Sequence, residues 1–477
     1  MDRRLNQSGY CEAILTTWTP PLPDFILLSV VTDLLESLAS KKDPAVARIV
    51  VATAQRGLVE AFASIAASAA DAQTSGNKPH TERLDDDDDS DDGDPSRGLL
   101  EATMSVAEAL LKGARADALA TCQTVDRLSG PIISALHSTE DRDVLQAGVG
   151  CLTSLVRKAT SDVARWQDAS STSSTTHHLQ IISRLLAVDS ESGGLKIGDL
   201  IITILRKMPE SILPVLGDLL STMVQRLATA QTAGFVQSLV LPFAFLLKEN
   251  QTDVVCNLLL NVKTSTGASG MQVLADKWMD NFEAFQGFWA QRISAIGVTR
   301  LLSTHQPFLH EIAVRGDLIM DTSNTIKTRS RSKARPEQYR MITFGQKMLK
   351  VLVHEVENAS NGGPGSGTNH ADDDDDGEDE GWGSDDDDEG LSSTNKPDTM
   401  LSDFLDSDLN DISALVDGSS FGLEDGEEDL KEDEVWNMDF KSFLVGFLKS
   451  LAGSAGASEL AGGLNGEEQK KLGGVLS

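Results

Sequence analysis

Residues 197–227 read IGDLIITILRKMPESILPVLGDLLSTMVQRL. Ile197, Leu200, Ile201, Ile204 and Leu205 recur every three or four positions, and so do Ile212, Leu216, Leu219, Met223 and Leu227. A helix of about 3.6 residues per turn gathers each set on one side. The break K-M-P-E-S between them is short and polar, which sets two helices side by side and antiparallel. The pattern spreads outward over Leu145–Asn261. Val149, Leu152 and Val156 share a face; Ile182, Leu185 and Leu186 share another; Val236, Leu239, Val240 and Phe243 a third. The breaks V-D-S-E-S-G-G and A-Q-T-A-G are equally short. Paired helices in succession with no strand pattern predict an all-α chain, an α-solenoid of antiparallel helix pairs. The alternative is one globular bundle, but the pairs continue along most of 477 residues, and a single core closes well before that length.

Working outward, 1–23 is irregular and contains T-P-P-L-P. Residues 24–70 read as a helix pair, with Leu34, Leu35 and Leu38 as the stripe of the first helix and Pro44 in the first turn of the second. Helices resume at 98 and run to 360, with a Ser/Thr loop at Ser170–Thr176 and helices at Met271–Phe282 and Phe288–Leu302. Pro242 inside Phe235–Leu247 predicts a kink or break. A helix is expected from about Glu337 to Val356. The stretch 399–477 holds an acidic amphipathic segment and closing helices. One of these, Phe440–Leu451, presents Phe443, Phe447 and Leu451; the last begins at Asn465, with Glu467 and Glu468 in its first turn.

Charge is concentrated. The formal net charge is -32 and the sequence pI about 4.5. The ranges 71–97 and 361–398 carry most of the excess and are expected to be disordered, since dense like charge buries no core. The first holds Asp85, Asp86, Asp87, Asp88, Asp89, Asp91 and Asp92. The second holds Asp372, Asp373, Asp374, Asp375, Asp376, Glu378, Asp379, Glu380, Asp385, Asp386, Asp387, Asp388 and Glu389. Such polyanions disfavour direct nucleic-acid and membrane contact and suit a strongly basic protein partner. Their reach is a Debye length, about 8 Å, and each exposed pair contributes only about 0–1 kcal/mol, so numbers or an anchor must supply affinity. Trp382, an indole inside the second run, is the candidate anchor; docking on the chain's own solenoid is the equal alternative. The basic residues Lys327, Arg329, Arg331, Lys333 and Arg335 fit an internal contact with the acidic runs, an outside acidic partner, or a nuclear-localisation pattern.

Chemistry has no foothold in the sequence. There is no phosphate loop, no dinucleotide fingerprint and no H-E-x-x-H, so no catalytic, cofactor-binding or metal-binding residue is assigned. His177 and His178 are adjacent and diverge by about 100° on a helix. Cys11, Cys122, Cys151 and Cys256 lack paired spacing and read as reduced core residues. No uncharged apolar run approaches the roughly 20 residues of a membrane span. These features point to a soluble protein of the cytosol or nucleus.

Four stretches in order carry a resemblance. They are L-Q-A-G-V-G-C-L from Leu145 with V-A-R-W-Q at Val163–Gln167, Q-S-L-V at Gln237–Val240, I-K-T-R-S-R-S-K at Ile326–Lys333, and M-L-S-D-F-L at Met400–Leu405. Their order and spacing resemble the C-terminal half of importin-nine-type karyopherins of the importin-β superfamily, best over about Gly98–Ser360. The resemblance implies HEAT repeats stacked into a superhelix. It implies import of basic cargo such as core histone dimers, a histone-chaperone role, shuttling between cytoplasm and nucleus, and Ran-GTP and nucleoporins as partners. Asp372–Glu389 corresponds to the family's acidic insertion. Two features depart from the family. The chain is about half a member's length and lacks the N-terminal repeats that form the main Ran-binding region, and Asp85–Asp94 has no counterpart. The alternative function is a structural solenoid scaffold with acidic loops as solubilising linkers.

Overall fold

The computed structural model describes residues 25–75, 95–319, 338–359 and 428–477, except 432 and 455. The chain begins with α1 (Phe25–Ala39), α2 (Pro44–Ser75) and α3 (Pro95–Gly113). The pairs α4 (Thr124–Ser138) with α5 (Arg142–Lys158), α6 (Ser174–Ala187) with α7 (Ile197–Lys207), and α8 (Leu216–Leu227) with α9 (Ala233–Lys248) follow. After α10 (Thr252–Asn261) come α11 (Gly270–Asn281) and α12 (Phe288–Leu302). A two-stranded antiparallel ribbon, β1 (Ala313–Leu318) and β2 (Tyr339–Thr343), leads into α13 (Phe344–Asn358). The chain closes with α14 (Phe440–Ala452) and α15 (Gly466–Leu476).

The helices form two layers. In one, α1, α3, α5, α7, α9, α12 and α13 pack in succession; in the other, α2, α4, α6, α8 and α11 do, with the ribbon against α11. One continuous apolar core runs between the layers, so the α-solenoid expected from periodicity is the observed fold. Contact along the first layer is closer, and glycines make it so. A Cβ on Gly198 of α7 would fall 2.2 Å from the Ser238 carbonyl oxygen of α9, and one on Gly297 of α12 would meet the Ala244 backbone at 3.0 Å. Closer spacing on one side bends a stack toward that side, so this layer is the inner one.

Cations repeat along the stack. Arg184 of α6 donates to the Leu136 and Thr139 carbonyls at the end of α4. Arg226 of α8 donates to Val188 and Asp189 after α6, at 3.3 and 3.0 Å, and Lys277 of α11 donates to Ala230 after α8. Each helix end leaves carbonyls without intrahelical partners and a partial negative charge, and the next unit supplies the cation. Glutamines clasp neighbouring loops in the same way: Gln146 Nε2 donates to Ser192 at 2.8 Å, and Gln237 exchanges two 2.8 Å bonds with the Gln286 backbone.

Several expectations are corrected. Pro242 does not break α9, which is continuous from Ala233 to Lys248. The carbonyl that faces the proline ring is that of Ser238, four residues back, and it lies against Gly198, where no side chain competes for the space. The helix expected from Glu337 starts only at Phe344. Tyr339–Thr343 pairs with Ala313–Leu318 instead, and Thr343 then caps α13 with Gln346 in a capping box. The block from Ile212 is interrupted by a 3₁₀ turn at Leu213–Val215, around Pro214, before α8 starts. On α14 the buried set is Phe440, Leu444, Leu448 and Leu451, whereas Phe443 and Phe447 are half-buried. Leu34 is exposed, and Leu35 carries the α1 stripe. The edges of the 71–97 range are helical, in α2 and α3.

Over Pro44–Ser68, α2 is long and apolar enough to cross a membrane by length and composition. It nevertheless buries Val50, Val51, Ala54 and Leu58 in the shared core, as a layer helix does.

Candidate functional site

The residues assigned to partner contact lie outside the described residues. These are Asp85–Asp94, Asp372–Glu389 with Trp382, and Lys327–Arg335. The structure does fix where each segment joins the solenoid.

The first acidic segment leaves α2 at Ser75 and enters α3 at Pro95. Beside that entry, Arg97 bonds Asp141, the N-cap of α5, at 2.6 Å. Burial would raise the Asp141 carboxyl, but the Val144 amide and Arg97 outweigh it and hold it below the usual range.

The basic segment is carried between β1 and β2. The Ile319 amide donates to the Gln338 carbonyl at 2.8 Å and closes its base. Arg315 lies 5.6 Å from the Tyr339 ring centre and 3.3 Å from Asp280. The acidic insertion leaves at the far end of α13, after Asn358. Strand β2 and the 15 residues of α13, about 22 Å of helix, lie between the basic and acidic roots.

Midway along α13, Lys350 reaches Asp317 of β1 and, at 2.9 Å, Glu468 of α15. Burial would lower its pKa, but the two carboxylates outweigh burial and raise it. Burial likewise pushes the Glu355, Asp276 and Asp280 carboxyls above their ordinary range.

The returning root of the insertion is the most elaborate. Leu430 and Val435 are buried, and the turn Glu434–Asn437 packs on α12. Arg292 Nη1 donates to the Val435, Trp436 and Met438 carbonyls at 2.9, 3.1 and 3.1 Å. Its guanidinium lies 3.9 Å from the Phe288 ring centre, and Phe288 in turn meets Trp436 at 4.7 Å. Asp433 stands 3.5 Å from Arg206 of α7, and Glu434 stands 3.0 Å from Lys248 of α9. Three inner-layer helices thus hold one acidic turn. Sequence reading missed this contact because Arg292 and Trp436 lie far apart in the chain; the local signal was D-E-V-W, with Asp433 capping the turn through the Val435 amide.

His177 and His178 do diverge. His177 Nε2 bonds Asp168 at 3.0 Å, while the buried His178 Nδ1 meets Ser174 Oγ at 3.1 Å. Among the described residues no group of three or more His, Cys, Asp or Glu is placed to hold a metal ion. Cys151 and Cys256 are buried and Cys122 half-buried; burial raises all three thiols, Cys256 to about 11.

No family model matches the chain. Importin subunit beta-5 of Schizosaccharomyces pombe is 30% identical over 229 residues, which cover 48% of this chain and 23% of that protein. Importin subunit beta-5 of Saccharomyces cerevisiae is 26% identical over 179 residues, 37% of this chain and 18% of that protein. Importin-9 of Drosophila melanogaster is 24% identical over 238 residues, 48% of this chain and 23% of that protein. The solved structure of the exportin Cse1 in its cargo-free, cytoplasmic state aligns with a TM-score of 0.44 at 11% identity, covering 94% of this chain and 47% of that one. The chain thus matches less than a quarter of each curated relative's length. In sequence the chain is similar, over up to about half of its length, to importins of the karyopherin family.

Proposed function

We propose that this chain is the cargo-holding segment of a nuclear import receptor. It holds a strongly basic protein, a core histone dimer being the type case, against the inner layer and shields it in transit. The reading is supported by the named relatives together with one structural observation. The insertion that carries Asp372–Glu389 is tied to the solenoid at both ends, after α13 and on α7, α9 and α12. A polyanion tethered twice is kept near one surface, which raises its effective concentration there. Asp85–Asp94 and Trp382 are proposed as further contacts with the same cargo. Shuttling between cytoplasm and nucleus and contacts with Ran-GTP and nucleoporins belong to the same reading. No catalytic role is proposed.

The test is binding of the full chain to a core histone dimer at low and physiological salt. It is compared with a variant carrying Asn and Gln across Asp372–Glu389. Binding that persists at physiological salt and weakens in the variant is the expected result. Binding that vanishes at physiological salt, or is indifferent to the substitutions, overturns it and favours a solenoid scaffold.

A further inference from the structure

The contact at Asp433–Met438 has the make-up of a ligand in a receptor groove. Two carboxylates face two cations, Arg206 and Lys248. One apolar side chain, Val435, is buried, and one indole stacks on Phe288. Arg292 reads the backbone through three carbonyls and so places few demands on side-chain identity. The receiving side chains come from three helices that are ordered by the solenoid core. The Glu434–Asn437 turn has only four residues, too few to form a stable helix alone. The groove therefore belongs to the solenoid, and the segment is its occupant.

We infer that Arg206, Lys248, Arg292 and Phe288 form a docking site for short acidic segments bearing an adjacent aliphatic and aromatic residue. Asp433–Met438 fills the site from within the chain, and a partner protein carrying such a segment displaces it. The occupant supplies the pattern: acid, acid, Val, Trp. Displacement has a structural consequence, because Glu428 is where residues 360–427 rejoin the solenoid. Freeing that root moves the insertion's return point from Glu428 to Phe440, where α14 packs on α13, and so lengthens the untethered segment. A segment held within the chain faces its groove at an effective concentration on the order of millimolar. A displacing partner therefore needs a second contact elsewhere or a tighter segment. The inference is independent of which cargo the chain carries, because the groove recognises acid and the insertion recognises base.

The probe is a fluorescein-labelled peptide of residues 428–440, EDLKEDEVWNMDF, titrated into the full chain and read by anisotropy. Wild type is expected to bind it weakly, since its groove is filled. The Val435→Ala, Trp436→Ala double variant loosens the internal occupant, and about tenfold or more tighter peptide binding is expected. Adding Arg292→Ala to that variant is expected to remove the gain. A second variant, Asp433→Asn with Glu434→Gln, keeps the apolar contacts and covers the case in which the first fails to fold; it too is expected to bind more tightly than wild type. Equal affinity for wild type and the folded strap variants, or affinity indifferent to Arg292→Ala, overturns the inference.

Discussion

Lys350 and Glu468 stand 2.9 Å apart, nitrogen to oxygen, where α13 meets α15. Glu468 does two jobs at once. Its other oxygen accepts the Asn465 amide at 2.8 Å and completes the capping box of α15. Burial would raise its carboxyl, yet the Asn465 amide, Lys350 and His354 hold it below the usual range. Glu468→Ala is expected to cost about 1–3 kcal/mol in urea unfolding, because it removes one of the two carboxylates that hold the buried Lys350 and the Glu468 half of the capping box, while Asp317 and the Asn465 cap remain. Lys350→Met combined with Glu468→Leu is expected to cost less than the sum of the single changes. Strict additivity in that double-mutant cycle sinks the coupling.

His178 sets an acid limit. Burial lowers its pKa to about 4, against an ordinary value of 6.5. Well above the unfolded value the imidazole is neutral in both states, and the stability it confers is fully present. Between that value and about 4 the unfolded chain takes up a proton that the folded chain refuses. Stability is therefore lost as pH falls through this window, by at most about 1.4 kcal/mol per unit. Urea midpoints measured from pH 7.5 to 4.5 (about the window that matters) are expected to fall less steeply for His178→Gln than for wild type. Parallel curves would show that His178 contributes nothing to the acid slope.

The cation ladder separates structural from ornamental arginines. Arg184→Met removes the donor to the end of α4 and is expected to cost about 1–2 kcal/mol. Arg165→Met breaks an exposed pair with Asp162 and is expected to stay within about 0.5 kcal/mol of wild type. Calorimetry of the two variants side by side decides it; similar losses would mean that helix-end capping is not what Arg184 supplies.

Glycines divide in the same way. Gly198→Ala would put a methyl 2.2 Å from the Ser238 carbonyl oxygen and force α7 from α9, at an expected cost of about 2 kcal/mol or more. A Cβ on Gly473 of α15 meets nothing within 4 Å, so Gly473→Ala is expected to stabilise by about 0.5–1 kcal/mol. Thermal midpoints moving in opposite directions bear this out; a neutral Gly198→Ala contradicts it.

The helix pairs were legible because their burial is periodic. Ile201, Leu219, Met223 and Leu239 are inside for the reason the spacing gives. The last helix was legible from Asn465 and Glu468, since a capping box is a local device. What failed was settled at a distance. Pro242 is tolerated because of Gly198 on another helix. Tyr339–Thr343 is a strand because Ala313–Leu318 lies beside it. On α14 the bulkiest side chains, Phe443 and Phe447, drew attention from the run Phe440, Leu444, Leu448, Leu451 that the helix buries. The docking of the Asp433–Met438 turn showed in the sequence only as D-E-V-W, because its partners lie on three helices, the most distant of them more than 200 residues upstream. The charged segments were conspicuous as composition, but the positions of their roots depend on the folded stack.

The ribbon stands where another outer helix would, so the two layers end unevenly at α13. There α14 and α15 fold over the side of the last helix and finish it. At the opposite face Val30 and Leu34 of α1 and Ile49 of α2 lie open to solvent. The ribbon leaves Leu318, Ile319 and Met341 open to solvent as well, so among the described residues apolar side chains are exposed at both ends of the stack.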